Sequence, residues 1–525
     1  MSTAEGWDRP NIVLLQADQL AAHAIGAYGN RTVLTPHLDA LATEGVVFDR
    51  AYCNSPLCAP SRASMLTGRL PSAIGAYDNA ADFGTSVPTF AHHLRRQGYR
   101  TALIGRMHLI GPDQLHGFDE RLTTDVYPAT YDMVPDWGLE DQSRLAWYHN
   151  ADSVLEAGVA TATVQRDFDE EVVFRSLRFL TDRARDPGSE PFLMVSSFIH
   201  PHDPYEPPAE HWHRYDDIEI DLPRVPAQPP EELDPHSRRL LAMCELDRRV
   251  PTPEEVLRAR RAYYASVSYV DDQIGKIVGW LTELGLRERT VILVTADHGE
   301  LLGERGLWYK MSPFEASARV PLILNAPGRL PARRVDDVVS LVDLLPTLVE
   351  VAAGEHPAGD GRSLWPLALG LGQVGGRQAV IEYLAEGVSA PQLTLVDGHL
   401  KLVVCATDPD QLYDLSTDPD ERHNLAADPA WAQEVERLRE TLLAGRDLDR
   451  LRDDVLASQD RRRLVGEALA TGTSVVWDHA PQDQSASRYV RGDFWSALAR
   501  GRLAPTPVPS GTLLPEEAQK PSSAA

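Results

Sequence analysis

VILVTADHGELLGERGLWYK, residues 291–310, decides the fold class. Val291 to Val294 is a short apolar run of the composition found in strands buried on both faces, and Asp297 and His298 stand just beyond it. Three more runs have the same form. Ile12 to Leu15 leads into Asp18 and Gln19, Ala102 to Ile104 into Arg106 and His108, and Phe192 to Val195 into His200 and His202. These runs alternate with helical patterns, the layout of an α/β domain whose largely parallel sheet is covered by helices on both faces. In an open sheet of this kind ligands bind outside the carboxyl ends of the strands, so the residues after the four runs are expected to converge on one crevice. A single strand-end Asp is more often a cap or turn former, and a single His is usually structural. Four such endings together reverse that expectation.

Ahead of Val291, Thr252, Pro253 and Glu255 form an N-cap, a proline at the first helical position and a capping-box acid. The helix that follows carries Tyr263, Val267, Val270, Ile274, Ile277, Leu281 and Leu284 at alternating spacings of four and three, and Gly285 suits its C-terminal cap. That stripe reads as core. A further helix is expected over about Val338–Val351, and the turn-rich AAGEHPAGDG after it marks a domain boundary. Leu393 to Val396 and Leu400 to Val404, split by Asp397 and Gly398, predict a hairpin and a small antiparallel sheet. An Arg- and Glu-rich helix pair spans about 430–470, and a Pro/Ser/Ala-rich tail ends the chain. The expected division is a catalytic domain over 1–375, a smaller C-terminal α+β domain over 376–470, and an extension over 471–525 that could reach a neighbouring subunit.

The 525 residues carry 51 Lys and Arg against 77 Asp and Glu, a formal charge of −26. Such a balance argues against nucleic-acid and anionic-membrane partners, because both are held by basic residues. An anionic substrate would need a local cationic pocket. Four cysteines, Cys53, Cys58, Cys244 and Cys405, are too few for a disulfide framework and contain no CxxC pair, which fits a reducing compartment. MSTAEGWDRP has no basic n-region, and no run of about 18 apolar residues occurs, so a cytoplasmic protein is expected.

Asp18, Gln19, Asp297 and His298 together offer two carboxylates, an amide oxygen and an imidazole. Ligation dominated by oxygen suits Ca²⁺, Mg²⁺ or Mn²⁺ better than Zn²⁺. Arg62, Arg106 and Lys310 are candidate cations for a substrate oxyanion. The most specific segment is SPLCAPSRASMLTGRLP, residues 55–71. A helix starting near Pro60 would set the Cys58 thiol at a helix N-terminus beside Arg62, and both influences lower a thiol pKa.

Cys58-Ala59-Pro60-Ser61-Arg62 followed by Thr67-Gly68-Arg69 resembles the signature of the formylglycine-dependent sulfatases of the alkaline phosphatase superfamily. The resemblance extends through NIVLLQADQL, GRMHLIG at 105–111, HPHDPY at 200–205, TADHGELLGERGLWYK and QLYDLSTDPDERHNLA at 411–426, in the family's order. Segments 113–129 and 147–150 are most similar to choline sulfatases. The resemblance implies that a separate maturation enzyme oxidises Cys58 to formylglycine, whose hydrate attacks sulfur. Asp18, Gln19, Asp297 and His298 would hold a divalent cation, usually Ca²⁺ or Mn²⁺, that also touches residue 58. By the same resemblance His202 and Lys310 bind sulfate and assist the leaving oxygen, Arg62 supports the diol, and His108 is the base that regenerates the aldehyde. Trp147, Tyr148, His149, Asn79 and Glu386 would form the pocket for a quaternary ammonium, which proteins hold with aromatic faces and carboxylates.

Two departures stand out. Arg106 occupies a position where sulfatases usually have Lys, and a planar guanidinium is not interchangeable with an ammonium. Met133 lies near the position of a cation-binding Trp, and only Asp493 aligns with the acid of the family's C-terminal arm. Choline sulfatases form dimers of dimers, so a homo-oligomer is implied. The competing readings are a phosphonate monoester or phosphodiester hydrolase of the same superfamily, a sulfatase for another small organosulfate, a non-catalytic metal-bound binding protein, and an unmodified cysteine hydrolase.

Overall fold

The computed structural model describes residues 9–139, 149–186, 188, 190–355, 357–371, 375–473 and 476–482. Trp147, Tyr148, Asp493 and most of the expected C-terminal extension lie outside these residues.

Thirteen strands among the described residues form two sheets. They are β1 (Asn11–Ala17), β2 (Val46–Tyr52), β3 (Arg100–Gly105), β4 (Glu120–Arg121), β5 (Phe192–Phe198), β6 (Thr290–Ala296), β7 (Arg319–Val320), β8 (Leu322–Asn325), β9 (Arg333–Ser340), β10 (Gln378–Tyr383), β11 (Gln392–Asp397), β12 (Leu400–Cys405) and β13 (Asp408–Asp414). The nine-stranded sheet has the order β4-β3-β5-β1-β6-β8-β2-β7, with β9 also paired to β2. The four strands read from the sequence, β3, β5, β1 and β6, are neighbours in its centre and run parallel. The sheet is mixed because β8 and β7 pair antiparallel to β6 and β2.

Every residue of β5 and β6 is buried, as expected for strands covered on both faces. The long helix Pro253–Glu283 begins at the Thr252–Glu255 capping box, worth about 1 kcal/mol, and Gly285 follows its C-cap Leu284 at φ 69°. Its buried stripe includes Tyr263, Val267, Val270, Ile274, Ile277 and Leu281. Each aliphatic member stabilises the fold by about 1.5–3 kcal/mol, so a charge at Val270 would undo this contact. At the end of β3, Gly105 has φ 105°, and a Cβ there would lie 2.0 Å from the Ser197 carbonyl oxygen. Only glycine lets the chain turn into Arg106 against β5.

Two local expectations are corrected. Residues 338–340 finish strand β9 rather than opening a helix: the Ser340–Asp343 capping box places the helical start after Ser340, and the α-helix is Leu344–Val351. Val338 and Val339 are β-branched and pair with β2. In the hairpin, Asp397 pairs with Leu400, so the two turn residues are Gly398 and His399, one place further along.

The second sheet is antiparallel, in the order β10-β11-β12-β13. Leu393, Leu395, Leu402 and Leu412 pack on Leu438 and Leu442 of the helix Ala432–Leu443. Ala379, Ile381 and Tyr383 belong instead to the core of the large sheet. The large core therefore extends onto one side of the small sheet, whose leucines form a separate cluster, and the buried Lys401 pairs at 2.8 Å with both Glu315 and Glu421. The described residues contain no helix long and apolar enough to cross a membrane.

Candidate active site

The carboxyl ends of β1 and β6 and the start of the helix Cys58–Thr67 meet at one buried point. Asp18, Cys58, Asp297 and His298 each present a ligand atom there, all within 4.8 Å of one another. The helix starts at Cys58 itself, earlier than the position near Pro60 expected from the sequence, with Leu57 as N-cap. Cys58 Sγ lies 3.2 Å from His298 Nε2. His298 Nδ1 donates to the Gly299 carbonyl at 3.0 Å, which fixes the tautomer and turns the Nε2 lone pair toward the cluster.

Arg62 joins the two carboxylates. Its Nε donates to Asp297 Oδ2 at 2.8 Å and its Nη2 to Asp18 Oδ2 at 3.0 Å, while Nη1 donates to the Arg106 carbonyl and to Ser197 Oγ. Arg106 forms a second, close ion pair with Asp18. Burial alone would raise the Asp297 carboxyl, but Arg62, His298 and Arg106 hold it well below the usual carboxylate range. Asp297 is therefore ionised, and Asp18 is flanked by two guanidinium groups.

Cys58 behaves differently from the expectation of a lowered thiol pKa. The helix start and Arg62 are present as expected, yet burial pushes the thiol up to about 12, outweighing the pull of Lys310 and Arg62. An unmodified Cys58 is a protonated, poorly nucleophilic group. This argues against the cysteine-hydrolase alternative.

Lys310 is fully buried in a loop, not an exposed helix residue. Its Nζ donates to Gln19 Oε1 at 2.5 Å and to His202 Nε2 at 2.7 Å. His202 Nδ1 donates to the Asp203 carbonyl at 2.7 Å, so Nε2 carries the lone pair. Burial, then Lys310, keeps His202 well below its ordinary value and neutral. Gln19 sits close to the cluster, its backbone N–H donating to Asp297 Oδ1 at 3.0 Å. Its side-chain amide is engaged by Lys310, Asp203 and Glu300.

His108 lies on the β3 side. Its Nδ1 is 3.2 Å from Arg106 Nη2, its ring stacks on Tyr127 at 5.0 Å, and its backbone N–H donates to Asp125 Oδ2 at 3.0 Å. Burial, then Arg106, holds it neutral. Gln19 and His108 have φ of 60° and 54°, a left-handed backbone that costs non-glycine residues about 1 kcal/mol or more and collects at functional sites.

His149 lies 3.3 Å from Asp203 Oδ2 and stacks on Tyr309 at 4.3 Å. Asn79 Oδ1 accepts from the Ala59 N–H at 3.0 Å, next to Cys58. Met133 is buried against Ala80 and Val134. Glu386 is buried, its Oε1 has no hydrogen-bond partner among the described residues, and burial raises its carboxyl to about 7. His200 stands apart from this group: its Nδ1 contacts Asp169 Oδ2 at 2.7 Å and serves the helix Val164–Ala184.

Several participants were not singled out from the sequence. Asp203 links His149, His202 and Gln19, Glu300 accepts from Gln19 and Tyr309, and Tyr127 backs both Arg106 and His108. Asp203 and Glu300 fall inside HPHDPY and TADHGEL, so their position in the motifs was the available signal. Tyr127 left none.

Comparison with known proteins agrees with this geometry. Residues 10–354 match the family model described as "Sulfatase", 303–447 "N-sulphoglucosamine sulphohydrolase, C-terminal", and 453–503 "Choline sulfatase enzyme C terminal". A choline-sulfatase of Rhizobium meliloti is 42% identical over 493 residues, covering 92% of this chain and 96% of that protein. An arylsulfatase of Clostridium perfringens is 33% identical over 66% of this chain and 75% of its own. Among solved structures, the phosphonate monoester hydrolase of Agrobacterium radiobacter superposes with a TM-score of 0.67 at 26% identity, covering 85% of this chain and 96% of that one. The four converging strand ends, the helix that opens on Cys58 and these matches over most of the chain lead to one conclusion: this chain belongs to the sulfatase family.

Proposed function

We propose that this sulfatase hydrolyses choline-O-sulfate to choline and sulfate, using a formylglycine derived from Cys58 and a divalent cation. The observation that carries the reading is the buried cluster of Asp18, Cys58, Asp297 and His298 beside the Lys310–His202 pair. Two carboxylates match a dication's charge, and the oriented His298 Nε2 adds a neutral donor, so the residues present fit Ca²⁺ or Mn²⁺. Gln19 joins the set if its amide oxygen leaves Lys310. A cation held there would polarise a sulfate oxygen and balance charge on residue 58. An aldehyde at position 58 would supply, once hydrated, a nucleophile that can later be released.

The chain's own groups do the remaining work. Arg62 keeps Asp18 and Asp297 ionised and aligned. Lys310 carries the positive charge that meets the sulfate and the departing oxygen, where negative charge grows in the transition state. His202, neutral and fixed by Asp203, shares a proton with Lys310 and can pass it toward the leaving oxygen. His108, neutral in its pocket, is ready to accept a proton on the opposite side. For the cationic end of the substrate, Glu386, Asn79 and His149 are the candidates, with Trp147 and Met133 as further positions. The unpartnered Glu386 oxygen and the 42% identity to a choline-sulfatase support this assignment. Four free, buried cysteines agree with a cytoplasmic setting.

The test pairs the mass of the Cys58 peptide, from protein made with a sulfatase-maturation enzyme, with sulfate release from choline-O-sulfate. Oxidation to the aldehyde with turnover in wild type, and loss of both in Cys58→Ala, is the expected result. Full activity in Cys58→Ala would overturn the mechanism. Turnover of a phosphonate monoester exceeding that of every sulfate ester would favour the second reading, which rests on the structural similarity to the Agrobacterium radiobacter enzyme.

A further inference from the structure

The last described helix, Leu448–Leu469, comes far from the catalytic motifs in sequence, yet one stripe of it faces the substrate side of the site. Arg452, Gln459, Arg462, Arg463 and Gly466 recur at the spacings of one helical face. Arg462, 3% exposed, donates both Nη groups to the Asp78 carboxylate at 2.6 and 2.7 Å. Fully buried Gln459 accepts from the Trp137 backbone N–H at 3.0 Å, and Arg463 pairs with Asp136 at 2.6 Å. Arg452 Nε donates to the Ser389 carbonyl at 3.0 Å. Between them the four contacts reach three loops: residues 76–81 carrying Asn79, through Asp78; 129–138 carrying Met133, through Asp136 and Trp137; and 384–391 carrying Glu386, through Ser389.

The loops are also joined to one another. Met133 packs on Ala80, and Trp137 Nε1 donates to the carbonyl of Ala385, next to Glu386. Asp78 stands near enough to Glu386 for their negative charges to oppose each other. Arg462 offsets that charge with a buried bidentate pair, the geometry that fixes position as well as sign.

We infer that the C-terminal helix braces the substrate-recognition end of the site, with Arg462 as a positioning residue that sets Asn79 and Glu386 through Asp78. The inference rests on the reading of Asn79, Met133 and Glu386 as substrate-facing positions. It makes recognition of the non-sulfate end of the substrate a property of a region outside the catalytic motifs, and so separable from sulfate-ester chemistry.

The test uses the full-length, matured protein with Arg462→Met, Arg462→Lys, Asp78→Asn and the double variant Asp78→Asn/Arg462→Met. Arg462→Met strands a buried carboxylate and is expected to raise KM for choline-O-sulfate by about tenfold or more. Its kcat on 4-nitrophenyl sulfate should change by less than about threefold. Hydrogen exchange should quicken in all three loops together and not in β1 or β6. Arg462→Lys should recover part of the KM, and the double variant should bind better than Arg462→Met because no buried charge is left unpaired. Faster exchange confined to the helix, or equal losses on both esters, would overturn the inference. If Arg462→Met fails to fold, the double variant and Arg462→Lys carry the same comparison. Should wild type cleave the aryl ester but not choline-O-sulfate, the proposed substrate fails, while loop exchange still decides the brace.

Discussion

Replacing Arg62 by Met keeps an unbranched stem of similar volume and removes the guanidinium that joins Asp18 to Asp297. All three side chains are at most 1% exposed. Asp18 retains Arg106, but Asp297 Oδ2 loses its 2.8 Å partner and remains a buried charge. Breaking a buried pair from one side costs about 3–5 kcal/mol, and the surviving Arg106 contact places this case near the lower end, about 3 kcal/mol. The remedy is a dication. A ligand at a hundred times its Kd stabilises the folded state by about 2.7 kcal/mol, and a site with less internal neutralisation should bind it more tightly. Urea unfolding of wild type and Arg62→Met, in chelator and again with millimolar Ca²⁺ or Mn²⁺, measures both quantities. The expected gap is about 3 kcal/mol in chelator and markedly smaller with the cation. A gap under about 1 kcal/mol in chelator, or one that the cation leaves unaltered, would refute the reasoning that Arg62 stands in electrostatically for part of the cation's charge.

Two other outcomes follow from the same geometry. Because burial raises Glu386 to about 7, its carboxylate fraction grows as pH climbs through that value, so KM for choline-O-sulfate should fall across this range in wild type and stay high and flat in Glu386→Gln; initial rates on either side of neutrality check it, and a flat wild-type profile counts against Glu386 as the ammonium partner. Arg106→Lys keeps a charge beside Asp18 but gives up the planar face over Tyr127 and the contact with His108. A loss of about 1–2 kcal/mol, or about 5–30-fold in kcat/KM with little change in KM, is expected from steady-state kinetics.

The catalytic half of the site was legible because its signals are local. An apolar run of four residues followed by Asp and His needs only the strand-end rule to be placed, and Asp18, His108, His202, Asp297 and His298 came together as that rule requires. Thr252 and Glu255 announced the long helix for the same reason: a cap is made within one turn. Misreadings arose where neighbours far along the chain decide. Val338 and Val339 fit either a helix or a strand until β2 offers them a partner, and the hairpin turn moved by one residue because Asp397 finds Leu400 across the ladder. His200 shares its motif with His202 but is claimed by Asp169 from a helix about thirty residues earlier.

By itself, then, the sequence determined the α/β class, the small antiparallel sheet, the four strand ends that carry chemistry and a helix near Pro60, whose start at Cys58 itself only the structure shows. The tertiary structure alone decided their electrostatic state. Whether Cys58 is a thiolate or a thiol, whether Glu386 titrates near neutrality, and which of Asp203, Glu300 and Tyr127 joins the site all depend on how much water packing leaves around each group and which charges it brings near. It alone also brought Arg462 to Asp78, a pairing across more than 380 positions that no local pattern encodes. Desolvation and Coulomb interactions act through space at a few ångströms, and distance along the chain carries no record of them.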